Sequence, residues 1–200
     1  VYANLVENCR RVYRFCRYLA MLLTSLLFAN LLMVACVTAQ NTSGGIDMVL
    51  GAVVGIDSWI PDNARTARTL GTERSGSGVV IDNNGLIVTV GYLVLEASRA
   101  DIELTNGTKI PAKILAYDHD SGLGLLRALQ PLDVTPMPLG SSKDLTEADK
   151  VLVVSHGGVE AVRPAAVVSR RTFAGYWEYL LERAIFTAPP HPTFGGAALI

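Results

Sequence analysis

Gly76-Ser77-Gly78-Val79-Val80-Ile81-Asp82-Asn83-Asn84-Gly85-Leu86-Ile87-Val88-Thr89 is the stretch that decides how this 200-residue chain folds. Two short β-branched, apolar runs flank Asp-Asn-Asn-Gly. Asn and Gly accept the positive φ angles that tight reversals need, so the segment predicts a β-hairpin. A second hairpin follows. Ala100-Asp101-Ile102-Glu103-Leu104 alternates polar with apolar, Asn106-Gly107 turns the chain, and Lys109 to Leu115 alternates again. Period-two alternation gives each strand one wet face and one buried face.

Working outward, Leu123–Leu129, Val151–Val154 and Ala165–Val168 read as further strands, as does Ala184–Thr187; Tyr176–Leu181 reads as a strand or, over Trp177–Glu182, as one helical turn. Upstream, Met48–Trp59 is apolar and β-branched and predicts a first strand, and Ile60–Ser75 predicts a long exposed loop. Gln40–Asp47 is mostly small and polar and suits a linker. Many short strands with closely spaced turn signals, and no sustained helical period, imply an all-β barrel or sandwich.

The order of motifs resembles the protease domain of the HtrA/DegP family. There a G-S-G-[FV]-[IV]-[IV] strand is followed by a D-x-x-G turn and then I-[VL]-T-N-x-H-V. This chain has Gly76–Ile81, Asp82–Gly85, then Leu86-Ile87-Val88-Thr89-Val90-Gly91-Tyr92-Leu93-Val94. The family's D-x-x-[TS]-D-L-A-[LV]-L run corresponds to Asp118–Leu126. Its P-x-x-L-G-x-S strand resembles Pro136–Ser142, a further strand matches Ala148–Gly158, and its G-N-S-G-G-P motif resembles Pro192–Ala197. The resemblance implies a trypsin-like double β-barrel over residues 48–200. Against the family pattern the chain stops in mid-strand at Ile200, so the second barrel is expected to be incomplete, the domain a C-terminally truncated fragment with an unpaired apolar edge.

Serine-protease chemistry needs a hydroxyl that attacks, an imidazole that moves the proton, and a carboxylate that orients the imidazole. Carried over position by position, the resemblance puts Tyr92 where the imidazole belongs, Gly122 where the carboxylate belongs and Phe194 where the hydroxyl belongs. A phenol of pKa near 10 is about three units too basic to serve as a base at neutral pH. Glycine and phenylalanine offer neither carboxylate nor hydroxyl. The expected protein is a protease homologue without a working triad, a pseudoprotease that binds peptides or unfolded protein segments. A working serine endopeptidase with relocated groups is the alternative. The expected oxyanion loop is Thr193-Phe194-Gly195-Gly196, where the two glycines permit a tight backbone path. His191 with Thr193, Ser155-His156, and Asp118-His119-Asp120 are nearby polar groups whose ordinary reading is structural. Ser77 reads as a hydrogen-bonding residue of the strand opening.

Composition narrows the remaining choices. The net charge is −1, and no basic stripe or basic–aromatic interleaving supports nucleic-acid binding. All 3 cysteines, Cys9, Cys16 and Cys36, precede the β-rich part, which therefore has no thiol for a disulfide, a zinc site or a nucleophile. His119, His156 and His191 lack zinc-enzyme spacing, so no metal or other cofactor is expected.

Arg10, Arg11, Arg14 and Arg17 precede the apolar run Leu19–Ala39. Residues 1–39 thus read as a signal peptide cleaved after Ala39, as an uncleaved membrane anchor, or as a lipoprotein signal ending at Cys36. Each places the following domain outside the cytoplasm, periplasmic or secreted, or anchored to the inner membrane. The resemblance also implies a possible homo-oligomer, since related enzymes often form trimers.

Overall fold

The computed structural model describes residues 45–175 and 180–200. The apolar run Leu19–Ala39, the cysteines and the signal or anchor readings lie outside the described residues. Among the described residues no helix is long and apolar enough to cross a membrane.

Six strands form a closed barrel: β1 (Val53–Trp59), β2 (Glu73–Val80), β3 (Leu86–Val90), β4 (Arg99–Glu103), β5 (Lys109–Asp118) and β6 (Leu123–Ala128). Their order around the barrel is β1-β2-β3-β6-β5-β4, with antiparallel neighbours throughout. Both hairpins form as the alternation requires. In the first, Asp82 Oδ1 accepts from the N–H groups of Asn84 and Leu86, each at 2.8 Å, and Gly85 takes φ +70°. In the second, Asn106 Oδ1 accepts from Thr108 N–H at 2.9 Å and Gly107 sits at φ +81°.

The barrel interior follows from cross-strand register. Ile56 pairs with Ile102, Ile102 with Ile110, and Ile87 with Leu126. Ile56, Ile87, Ile102 and Leu126 are all at most 1% exposed, and burying each contributes about 1.5–3 kcal/mol before entropy is counted. Gly78 on β2 explains part of the G-S-G pattern: a Cβ there would lie 2.6 Å from Ile56 and 2.7 Å from Ile87. Gly124 on β6 similarly leaves room for Val94, which would lie 2.5 Å from its Cβ.

The second sheet is open, ordered β10-β7-β8-β9, from β7 (Lys150–Val154), β8 (Val162–Ala174), β9 (Leu180–Ala188) and β10 (Ala198–Leu199). The two-sheet, all-β architecture with an incomplete second barrel agrees with the sequence expectation. The chain end is paired on one side and is a sheet edge on the other, with Leu199 and Ile200 exposed. β10 is antiparallel to β7, and Leu152 and Ile200 exchange backbone hydrogen bonds at 2.7 and 2.9 Å.

Four local expectations need correction. Residues 45–52 are helical, not strand and linker; β1 begins only at Val53. Leu50 packs there with Val53, Val154 and Ala198, so tertiary burial overrides the β-branched composition. Ile60–Ser75 is not one exposed loop: Ala67–Leu70 is a short helix, β2 starts at Glu73, and Thr66 and Arg74 are buried. Pro136–Ser142 forms no strand; its prolines, at 136 and 138, cannot donate to a ladder. The strand read over Ala165–Val168 extends across all 13 residues of β8, where it pairs with both β7 and β9. Residues 176–179 are outside the description, and β9 carries the strand read at Ala184–Thr187.

Candidate functional site

Arg74 is the foundation of the site. It lies on β2 at the same parity as Gly76 and Gly78, and it is 4% exposed. Its Nη1 donates to the carbonyls of Tyr92 at 2.6 Å and Leu95 at 3.0 Å, and its Nη2 donates to Thr66 Oγ1 at 2.8 Å. Glu96 completes the arrangement by accepting from Thr66 N–H at 2.8 Å. Burial pushes the Arg74 guanidinium below its ordinary pKa, while Glu96 and Tyr92 push it back up. The buried cation thus holds the chain reversal after β3, where Gly91–Leu93 forms one 3-10 turn.

Tyr92 projects from that turn. Burial raises its phenol pKa above the ordinary 10.0, with Arg74 acting in the opposite sense. The ring reaches the loop that follows β9: a Cβ on Gly195 would collide with Tyr92 Oη. On the other side, Gly91 N–H donates to Gly122 O at 2.7 Å, and Gly122 N–H donates to Asp118 O at 2.9 Å. Gly122 takes φ +69°, so this tight turn between β5 and β6 is docked directly beside the Tyr92 turn.

The Thr193–Gly196 loop is tied to β2. Ser77 N–H donates to Gly195 O at 2.8 Å. Gly196 has φ +76°, and a Cβ there would overlap the Ser77 carbonyl oxygen. Both conformation and space therefore demand glycine at 196. Thr193 Oγ1 lies 2.8 Å from Ser155 Oγ and 3.3 Å from His191 Nδ1, while Thr193 N–H donates to His191 Nδ1 at 3.1 Å. His191 is 6% exposed and its Nε2 is 3.0 Å from Ala161 O. With Nε2–H donating to that carbonyl, Nδ1 is the acceptor.

These elements enclose a pocket of about 400 Å³. Tyr92, Pro192, Phe194 and Gly195 form one wall. Ser75, Gly76 and Ser77 supply the β2 side, with His156 and Thr193 completing it. Phe194 remains 72% exposed, a large aromatic ring held at the pocket surface. Ser77 has the bonding role expected of it, accepting from His156 N–H at 2.9 Å. His156 lies against the backbone of Gly55, where a Cβ would come within 2.8 Å of the imidazole.

Sequence reasoning missed the charges behind this wall. Ser75 Oγ donates to Asp57 Oδ1 at 2.8 Å, and Glu103 Oε1 is 3.9 Å from His156 Nε2. Lys109 Nζ bridges Asp57 at 2.9 Å and Glu103 at 3.3 Å. The hydrogen bond from Lys109 holds the Asp57 carboxyl below its ordinary pKa. It also missed Arg74, although an arginine in phase with the inward glycines of β2 was the available signal.

Of the expected positions, the structure gathers Tyr92, Thr193, Phe194 and Gly195 at the pocket and places Gly196 beneath Ser77. Gly122 joins through its bond to Gly91 but does not line the pocket. Asp118-His119-Asp120 forms an exposed turn in which the Asp118 carboxylate accepts from Asp120 N–H at 3.2 Å and from Ser121 Oγ. Those hydrogen bonds, Ser121 first, hold its pKa down. Among the described residues no group of three histidine, cysteine or acidic residues could hold a metal ion.

A closed six-stranded barrel beside a second antiparallel sheet, with a pocket walled by a β3 turn and a glycine-rich loop, defines a trypsin-fold domain. Residues 76–200 match the trypsin-like peptidase domain model, and the chain belongs to that family. Among curated relatives, it is 35% identical over 80 residues to zebrafish (Danio rerio) serine protease HTRA1B, covering 40% of this chain and 17% of that protein. It is 32% identical over 82 residues to the periplasmic serine endoprotease DegP of Salmonella typhimurium, with the same 40% and 17% coverage. The chain thus spans under a fifth of those relatives' length. The solved structure of the HtrA-type protease AlgW with tripeptide superposes with a TM-score of 0.63 at 20% identity, covering 79% of this chain and 50% of that one. The MamO protease domain from Magnetospirillum magneticum gives 0.59 at 18% identity, covering 76% and 79%. At such identities the structural likeness speaks to fold alone, and it agrees with the HtrA/DegP resemblance of the sequence.

Proposed function

We propose that this domain is a non-catalytic HtrA-like module that binds extended or unfolded peptide segments outside the cytoplasm. Tyr92, Gly122 and Phe194 are taken as the positions where an active relative carries its imidazole, carboxylate and hydroxyl. The reading rests above all on one observation. At the pocket surface stands Phe194, 72% exposed and incapable of nucleophilic attack, beside a Tyr92 ring packed over Gly195. Exposed aromatic rings around a concave, largely apolar site bind peptide side chains without cutting the backbone. The tripeptide named with AlgW is consistent with peptide binding on this fold. The extracytoplasmic location rests on the arginine-led apolar run Leu19–Ala39 and on the periplasmic DegP relative.

One contact favours a second reading, a hydrolase with relocated groups. Thr193 Oγ1 is 3.3 Å from His191 Nδ1, whose partner nitrogen faces Ala161 O. The same Nδ1 already accepts the Thr193 backbone N–H at 3.1 Å. One ring-nitrogen lone pair then serves two donors, which weakens it as a base. A fluorophosphonate probe separates the two readings. No covalent adduct is expected by intact mass; an adduct mapped to Thr193 or any other hydroxyl of residues 45–200 overturns the non-catalytic reading. In parallel, Phe194→Ala is expected to lower affinity for a labelled unfolded polypeptide about tenfold. Its melting temperature should stay nearly unchanged, because an exposed side chain contributes within about 0.5 kcal/mol to stability.

A further inference from the structure

We infer that the pocket selects a peptide carrying a lysine or arginine side chain, an inference that rests on the peptide-binding reading above. Its two sides differ in chemistry. One presents the rings of Tyr92 and Phe194. The other presents Ser75 and His156, and directly behind them stand two carboxylates. Asp57 accepts from the Ser75 hydroxyl at 2.8 Å, and Glu103 lies 3.9 Å from the His156 imidazole.

Charge balance on that side is incomplete. Among the described residues, Lys109 is the ammonium that pairs with these carboxylates, and it is shared between them at 2.9 and 3.3 Å. The two carboxylates share one ammonium, which leaves the side-chain pairing on that side short of positive charge. Both carboxylates keep about a third of their side-chain surface in contact with solvent, 29% for Asp57 and 33% for Glu103. Neither lines the pocket itself; their field acts on it from behind Ser75 and His156 and is weakened by salt.

A cationic side chain satisfies both sides together. Its aliphatic stem lies along the apolar wall, and its charged head points to the Ser75–His156 side, into the field of the carboxylates behind it. A neutral apolar side chain would use only the rings, and an acidic one would meet the carboxylates unfavourably. The same logic makes the pocket a specificity element that depends on charges outside the Thr193–Gly196 loop.

The test is fluorescence anisotropy with the full chain in mild detergent and labelled hexapeptides that differ at one central residue: arginine, lysine, citrulline, norleucine or glutamate. The arginine and lysine peptides should bind at least tenfold tighter than the citrulline and norleucine peptides. That preference should shrink severalfold in 0.5 M salt and in Glu103→Gln or Asp57→Asn, with circular dichroism confirming the fold. Equal binding of norleucine and arginine peptides would refute cation selection while leaving peptide binding intact. A preference untouched by both carboxylate variants would refute its electrostatic origin. Failure of every peptide to bind would overturn the peptide-binding reading itself.

Discussion

Gly196 shows how narrowly a single residue is constrained here. Its φ of +76° lies in the left-handed region, where an L side chain costs about 1–2 kcal/mol. Its missing Cβ also leaves space for the Ser77 carbonyl oxygen. Gly196→Ala combines both penalties and should destabilise the domain by about 3 kcal/mol or more, read as a lower midpoint in urea unfolding. Wild-type stability for that variant would show that the loop can move away from β2. Phe194, two residues earlier, sits at the other extreme: its side chain is exposed at the pocket surface.

At the scale of elements, Arg74 and Glu96 connect β2, the Ala67–Leu70 segment and the turn carrying Tyr92. Replacing Arg74 with methionine keeps much of the volume but leaves the Tyr92 and Leu95 carbonyls without their charged donor. Losing such a buried charge-assisted network should cost about 3 kcal/mol. Denaturant titration measures it, and a loss under 1 kcal/mol would mean that water replaces the guanidinium. Glu96 adds a pH dependence. Hydrogen bonds from Thr66, the largest cause, hold its pKa in the folded state below the ordinary 4.5. A depressed folded pKa means that the unfolded chain takes up the proton first as pH falls. The Glu96 contribution is thus fully present above about pH 4.5 and is lost as pH drops through the folded value. Thermal melts between pH 6 and 3 should show wild type falling more steeply than Glu96→Gln; parallel curves would remove this residue as a source.

Across the whole molecule, the two sheets differ in closure. The six-stranded barrel pairs every strand on both sides, whereas β9 and β10 are the edges of an open sheet. Edge strands open more readily than closed ladders because fewer hydrogen bonds must break. Hydrogen exchange should therefore be slowest in β1, β3 and β6 and fastest in β9. Equal protection across both sheets would mean that the β9 edge is covered in solution. The proposed site lies between these extremes: Ser75–Ser77 and the Tyr92 turn stand on the barrel, while Thr193–Gly195 are carried by the chain leading into β10. Peptide binding across the two would join a rigid wall to a more yielding one.

Local signals made most of the first barrel legible. Alternation in Ala100–Leu104 and the Asn-Gly turn need only neighbouring residues to act, and so do Asp82–Gly85 and the Gly195-Gly196 pair. The assignment of Tyr92, Gly122 and Phe194 to the imidazole, carboxylate and hydroxyl positions is carried by the resemblance of the ordered motifs around them. What those motifs could not convey depends on groups distant in sequence. The helical form of residues 45–52 depends on Leu50 meeting Val154 and Ala198. The burial of Arg74 depends on carbonyls some twenty residues away. The pairing of Asp57, Glu103 and Lys109 behind Ser75 and His156 forms only when β1, β4, β5 and the Ser155-His156 segment converge. The sequence by itself determined the strand grammar of the first barrel, because turn and alternation signals are local properties. Only the tertiary structure decided which residues line the pocket and which charges stand behind them, because proximity across a barrel is set by strand register and closure, not by distance along the chain.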